Sequence, residues 1–370
     1  MKISTITFHG AHNFGSVLQA YALQNTVESL CKNKGVACEY EIINYRTYLQ
    51  KNIYALLPRV KNFSSLIKRL MRLPYLHAYK EKYKKFEDFI NFTLNTGKEV
   101  SSIEEIKESY KDVDVYLSGS DQIWNVRSRD FSSVYYLPFE SGKKISYAVS
   151  FGPIKIDWNK YNKEEISQNL ENFDAISVRE EGSADNVEQL IGVRPQVHVD
   201  PTMLLSADEW RELSSGVTYK DGKYILLYCL EPSKTQLKMA KQISKKLKLP
   251  VVITKYNNKN DYFNGFKKLY WTGPKDFISL IDNASLVLTS SFHGTAFSLI
   301  FNKKFYALDV MLDNRISCIL NRTGLQGRSI ESAEQLNKIN LDDIDFTNAN
   351  KFLLQEKEKS KNYLSLALGI

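Results

Sequence analysis

Short apolar runs alternate with amphipathic stretches along most of the chain. Residues 3–8 read as a strand, a turn containing Gly10 and Gly15 follows, and Val17, Leu18, Tyr21, Leu23, Val27 and Leu30 recur at mixed helical spacing, which predicts a helix over 16–30. Further strands are predicted at 39–45, 114–117, 144–149, 175–178 and 196–199, with helices at 164–172 and 183–191. After Asp200 and Pro201 the pattern restarts: strand 223–230, helix 234–247, strand 251–254, helix 277–283, strand 286–289, then an apolar helix over 296–301. Such alternation implies a mostly parallel sheet covered on both faces. Residues 349–368 are helical by composition, and no tandem repeat of fixed period is visible.

The length of 370 residues argues for two domains. The restart after Asp200 sets the expected boundaries: a first lobe over 1–205 carrying a basic helical insertion at about 51–90, a second over 206–345, and a terminal helix over 346–370 that crosses back to the first. Ser206 followed by Glu209 has the spacing of a capping box that opens a helix, so 200–206 is the expected hinge. A composition of 43% hydrophobic and 25% charged residues excludes disordered and fibrous classes. The four cysteines contain no C-x-x-C pair and are too few to staple a chain of this size, which fits a reducing compartment. The N-terminal segment lacks the basic start and long apolar core of a signal peptide, so a cytoplasmic location is expected. Two uncharged runs, 3–27 and 283–302, match a membrane span in length but carry too many Asn, Gln, His, Ser and Thr side chains to lie in a bilayer.

The formal charge of +8 is concentrated. Residues 51–85 hold ten Lys or Arg against the single acid Glu81, so this window alone is +9. Within it, Leu56, Leu57, Val60, Phe63, Leu66, Ile67, Leu70 and Met71 form an apolar stripe that predicts a basic amphipathic helix between Pro58 and Pro74. Two readings stand side by side: a stripe packed on its own domain, or docking at the anionic inner face of a membrane. Nucleic acid is not expected, because Tyr75, Tyr79, Tyr83 and Phe86 follow helical spacing and no nucleic-acid fold motif occurs.

Three constellations can carry chemistry. In Thr289, Ser290, Ser291, Phe292, His293, Gly294 and Thr295, hydroxyls, an imidazole and a glycine follow a strand and lead into a helix, whose first backbone N–H groups can hold an anion. Histidine titrates near neutrality and so suits proton transfer, though a hydrogen-bonded core histidine gives the same pattern. In Ser118, Gly119, Ser120, Asp121, Gln122, Ile123, Trp124 and Asn125, a carboxylate stands at a strand end, and an indole offers a flat face of the kind that stacks on sugars. A plain turn with Asp121 capping a helix fits equally well. The third, His9 through Gln19 with Asn13, Gly15 and Ser16, is neither a dinucleotide fingerprint nor a P-loop, yet a turn into a helix can bind phosphate or orient a sugar. Arg179, directly after a strand, can capture a carboxylate or phosphate in bidentate fashion or pair with Glu180 and Glu181. Arg315 and Arg328 are placed equally well toward a ligand or toward solvent. No metal is expected, since no His or Cys has a partner at zinc-ligand spacing, and no serine-nucleophile elbow G-x-S-x-G occurs.

Taken in order, Asn13 through Gln24, Gly119 through Asn125, Ser177 through Glu180, Asp200 through Thr202 and Ser290 through Thr295 resemble the polysaccharide pyruvyl transferase family. The resemblance spans roughly residues 3–330. It implies two Rossmann-like lobes of the GT-B type with a cleft between them. It also implies transfer of a pyruvyl group from phosphoenolpyruvate, with no other cofactor, onto a sugar or lipid-linked oligosaccharide of an exopolysaccharide or capsule precursor. On the matching positions it makes His293 the general acid/base and Arg179 a donor clamp. Asp121, Trp124 and Asn13 become sugar-side contacts, with Gly15, Ser16, Gln19, Ser118, Gly119, Ser120, Asn125, Ser290, Ser291, Gly294, Thr295 and Arg315 around them. One position departs from the pattern: family members carry arginine two residues before the histidine, and here it is Ser291. Either the hydroxyls and helix start replace that arginine, with Arg315 or Arg328 reaching in, or the donor differs. A nucleotide-sugar glycosyltransferase of the same fold and a non-catalytic partner in capsule assembly are the alternative readings.

Overall fold

A computed structural model describes residues 1–57, 66, 69–70, 73–216, 222–254, 265–310, 313–339 and 342–370. The helix expected between Pro58 and Pro74 lies mostly outside the described residues. The chain forms two compact units: unit 1 comprises Met1–Arg69, Phe86–Leu205 and Gln355–Ile370, and unit 2 comprises Leu70–Lys85 and Ser206–Leu354. Both are α/β with parallel strands.

Unit 1 is built on β1 (Lys2–Ile6), β2 (Glu39–Ile42), β3 (Val115–Ser118) and β4 (Lys143–Ser146), in the order β2-β1-β3-β4 with every pairing parallel. A short parallel pair, β5 (Ser177–Val178) and β6 (Gln196–Val197), continues beside β4 through isolated bridges such as Val149 to Val178. Helix α1 (Phe14–Asn33) connects β1 to β2, and it runs three residues further at its C-terminal end than its apolar pattern suggests. The core beneath these strands is unusually aromatic, with Trp124, Tyr135, Tyr136, Phe151 and Trp158 buried together. Residues 200–206 hold no open linker: Pro201–Leu204 form a buried 3-10 turn packed against α1, capped by Asp200. The last helix, Thr347–Leu368, belongs to unit 1 from Gln355 onward. There the Tyr363 hydroxyl donates to the Ser146 carbonyl at 2.9 Å, and Ser360 meets His198 Nδ1 at 3.1 Å.

Unit 2 carries β7 (Ile225–Tyr228), β8 (Val251–Ile253), β9 (Lys267–Lys268), β10 (Leu286–Thr289), β11 (Phe305–Leu308) and β12 (Ser329–Ile330), in the order β12-β11-β10-β7-β8-β9. β7, β10 and β11 are buried at every position, which explains their unbroken apolar reading in sequence. Part of the basic window packs here: Tyr79 stacks on Tyr270 at 5.8 Å, and Lys85 pairs with Asp276 at 3.0 Å. Tyr79 and Lys85 lie outside the apolar stripe, whose described positions include Leu66 and Leu70, both exposed.

In an open parallel sheet a crevice opens where consecutive connections leave in opposite directions, beyond the carboxyl ends of the strands. In unit 1 that point lies between β1 and β3, and in unit 2 between β7 and β10. The first sequence constellation follows β10, the second β3 and the third β1.

Candidate active site

At the carboxyl edge of unit 1, Asn13 caps α1 by accepting from the Gly15 amide at 3.0 Å. Three residues after Asn13, the Ser16 hydroxyl donates to Asp121 Oδ2 at 2.6 Å, which ties the helix start to the turn after β3. Asp121 takes a left-handed backbone, φ +77°, and its other carboxylate oxygen accepts from the Gln122 amide at 2.9 Å. Below this pair, Gln19 donates to Thr7 Oγ1 at 2.8 Å and Thr7 donates to the Ser120 carbonyl at 2.8 Å. Gly119 is required by close approach, since a Cβ there would sit 3.0 Å from the Thr7 Cβ. Ser118 and Ser120 donate to the carbonyls of Tyr135 and Ala148, so their hydroxyls hold backbone. Asn125 is half-buried and donates to Gln122 Oε1 at 3.0 Å. Asn13, Ser16, Gln19 and Asp121 thus share the carboxyl edge of unit 1.

Two expectations are corrected. Trp124 offers no face to a sugar: it is fully buried, stacked on Tyr136 at 5.2 Å with its Nε1 donating to the Tyr135 carbonyl at 3.1 Å. The apolar neighbours of Ile123 and Trp124 made this a core residue. Arg179 is likewise not presented to a ligand. Its side chain is 1% exposed, donates to Asp200 Oδ2 at 2.7 Å, and lies 3.4 Å from Glu180. Burial alone would lower the guanidinium pKa, but Asp200 and Glu180 reverse this and hold it above its ordinary value. Asp200 also accepts from the Thr202 amide and hydroxyl, at 3.0 and 2.7 Å, and Glu180 accepts from Ser150 at 2.7 Å. The triad is therefore a structural charge cluster that fastens β5 to the turn after β6. The partner missed in sequence was Asp200, 21 residues away.

In unit 2, helix α2 (Phe292–Ile300) starts four residues earlier than its apolar run suggested. Polar side chains do not interrupt it, because they bond within it: Thr295 Oγ1 donates to the Ser291 carbonyl at 3.3 Å and Ser298 to that of Gly294 at 2.7 Å. His293 thus sits in the first helical turn, 8% exposed, with its ring edge-to-face against Phe292 at 5.4 Å. Gly294 allows the helix to lie on β10: a Cβ would fall 2.2 Å from Thr289 Oγ1 and 2.9 Å from the Tyr228 ring. Thr289 donates to the Tyr228 carbonyl at 2.6 Å and accepts from the Ser291 amide at 3.0 Å, fixing the turn. Ser290 hydrogen-bonds the Cys229 thiol, which burial pushes up to about 11.

Three charged side chains follow in this unit, of which Arg315 and Arg328 were candidates in sequence and Asp309 was not. Arg315 lies with its guanidinium 5.6 Å from the Phe292 ring and donates to both oxygens of Asp313, at 2.8 and 2.5 Å. Arg328 is instead held on Tyr306, with Nη1 donating to the hydroxyl at 3.0 Å. Asp309, just past β11, is half-buried, has φ +53°, and accepts from Gln236 Nε2 at 2.8 Å. A sequence signal existed for it: an apolar strand followed by a carboxylate, as at Asp121. Among the described residues no group of three or more His, Cys, Asp and Glu could hold a metal ion, and no helix is long and apolar enough to cross a membrane.

The family model for polysaccharide pyruvyl transferase matches residues 13–310. No curated protein matches the sequence. Among solved structures, a UDP-N-acetylglucosamine 2-epimerase is similar at 12% identity and TM-score 0.56, covering 99% of this chain and 94% of its own. A putative enzyme of that name from Listeria monocytogenes is similar at 10% identity and TM-score 0.50, covering 99% and 90%. The Methanocaldococcus jannaschii enzyme, solved in complex with UDP-GlcNAc and UDP, is similar at 13% identity and TM-score 0.50, covering 95% and 93%. At these identities the likeness establishes the fold, α/β and GT-B-like.

Proposed function

Because the chain belongs to the polysaccharide pyruvyl transferase family, we propose that it moves the pyruvyl group of phosphoenolpyruvate onto two hydroxyls of a sugar in a polysaccharide precursor, forming a ketal. The observation that carries this reading is the position of His293, an imidazole in the first turn of α2 at the switch point of unit 2. The helix start favours anionic groups, and the imidazole suits delivery of a proton to the enol carbon of the donor. Protonation there raises an oxocarbenium-like cation that sugar hydroxyls attack.

Ser291 occupies the place of the family arginine, and Arg315 supplies the cation instead. Its guanidinium already lies beside Phe292, and Asp313 holds it flat for bidentate capture of the donor carboxylate or phosphate. Asn13 and Asp121 of unit 1 are assigned to the sugar. Arg179 has no part in binding, since both of its carboxylate partners are internal.

Thermal-shift titration separates this reading from its rivals. Phosphoenolpyruvate at 100 times its dissociation constant stabilises by about 2.7 kcal/mol, and mass analysis of lipid-linked sugars incubated with it shows the ketal. Stabilisation by a nucleotide sugar alone points to a glycosyltransferase, and stabilisation by neither points to a non-catalytic partner.

A further inference from the structure

Ketal formation handles two protons. Each acceptor hydroxyl forms a C–O bond to C2 of the donor and gives up its proton, while the C2–O bond to phosphate breaks. One proton ends on the former methylene carbon, making the methyl group, and the other leaves with the phosphate. An imidazole that donates to carbon is best matched by a separate group that accepts from oxygen.

Unit 2 places a carboxylate for that task. β10 and β11 are parallel neighbours with Thr289 opposite Ala307, so Ser291 and Asp309, each two residues on, leave the sheet from adjacent strands. Asp309 turns out of β11 in a left-handed conformation, which aspartate and asparagine tolerate better than most residues. Gln236, in the first turn of the helix Lys234–Leu247, fixes its direction. The Gln236 oxygen accepts from the Ser233 amide at 2.9 Å, which aims its NH2 group at Asp309 Oδ2 at 2.8 Å. That helix follows β7, so the carboxylate is braced from the two strands that flank β10. The groups that act on Asp309 are Gln236 and Glu331, just past β12, while Asp309 itself helps raise the Cys229 thiol that bonds Ser290.

We propose that Asp309 is a second proton-carrying residue of this site, accepting the proton of the attacking sugar hydroxyl while His293 serves the enol carbon. This rests on the pyruvyl-transfer reading. Burial raises the carboxyl above its ordinary range, the neighbouring Glu331 adds to this, and Gln236 offsets part of it. A base of this kind is more effective than an exposed aspartate, because its proton affinity lies nearer neutrality.

The test is transfer kinetics on D309N and D309G. Asparagine keeps the size, the tolerance of positive φ and a partner for Gln236, so a structural role survives it, whereas a proton acceptor does not. We expect kcat to fall by ~10²–10⁴-fold with KM within about threefold. Formate should restore part of the rate in D309G, where glycine suits the backbone and leaves room. A D309N rate within threefold of wild type, or equal loss in both variants traced to unfolding with no formate rescue, overturns the assignment. A wild-type protein that transfers nothing from phosphoenolpyruvate overturns the underlying reading, and this assignment with it.

Discussion

The two switch points are built alike and equipped differently. In unit 1 the charged and polar groups at the carboxyl edge largely satisfy one another: Ser16 holds Asp121, Gln19 holds Thr7, and Arg179 is closed between Asp200 and Glu180. In unit 2 the hydroxyls of Thr289, Thr295 and Ser298 are spent on backbone carbonyls. Three side chains able to carry charge, His293, Arg315 and Asp309, are set around one helix start. A buried, mutually paired cluster fixes a shape, and titratable groups on braced turns do chemistry. On the proposed reading the proton chemistry belongs to unit 2, and the charge cluster of unit 1 is scaffolding.

The sharpest way to break that division is a pair of substitutions. H293Q keeps bulk and hydrogen-bonding capacity but cannot carry a proton at neutral pH. It should lower transfer by ~10²–10⁴-fold and leave the unfolding free energy within about 1 kcal/mol of wild type. R179M should do the reverse. Removing one member of a buried ion cluster strands the carboxylates and costs about 3–5 kcal/mol of stability, visible as an early denaturant midpoint, while any protein that remains folded keeps its turnover. An R179M protein of wild-type stability but without activity would restore Arg179 to the site.

Acid sharpens the same contrast more gently. Burial lowers the pKa of His9 to about 4, despite its bonds to Asn44 and the Thr7 carbonyl, and burial lowers that of His198 to about 4 as well. The unfolded chain protonates these rings near pH 6.5 while the folded chain resists until about 4. The unfolded state therefore binds more protons in that window, and stability falls as pH drops through it. For His9 the loss amounts to about 3 kcal/mol. H9N should flatten the pH dependence between 6.5 and 4 relative to wild type, and an unchanged slope would show that other groups carry it. A smaller effect is expected at Gly294. In G294A the new methyl meets Thr289 and Tyr228, and moving the helix start costs roughly 1–3 kcal/mol.

The fold was readable because its strands are short apolar runs and its helices carry regular stripes. The end of β10 and the helix over 234–247 were placed to the residue. The start of α2 was misjudged because Ser291 through Thr295 look like a loop until the Thr295 and Ser298 hydroxyls are seen to bond the helix backbone. The site was partly readable. Asp121 and His293 announce themselves as polar groups at strand ends, and that rule would also have found Asp309. Trp124 misled because an indole reads the same in a groove or a core, and only its burial against Tyr136 decides. Arg179 misled because ion pairing acts between residues far apart in sequence, and nothing local to Arg179 points to Asp200.

The most direct test of the central claim is to run the reaction in heavy water with phosphoenolpyruvate and a lipid-linked sugar, then read the product by mass spectrometry and NMR. Enzyme-catalysed protonation of the enol carbon predicts a ketal whose methyl group carries one deuterium, formed by wild type and nearly absent with H293Q. Undiminished deuterated product from H293Q, or transfer that leaves the methylene intact, would contradict it.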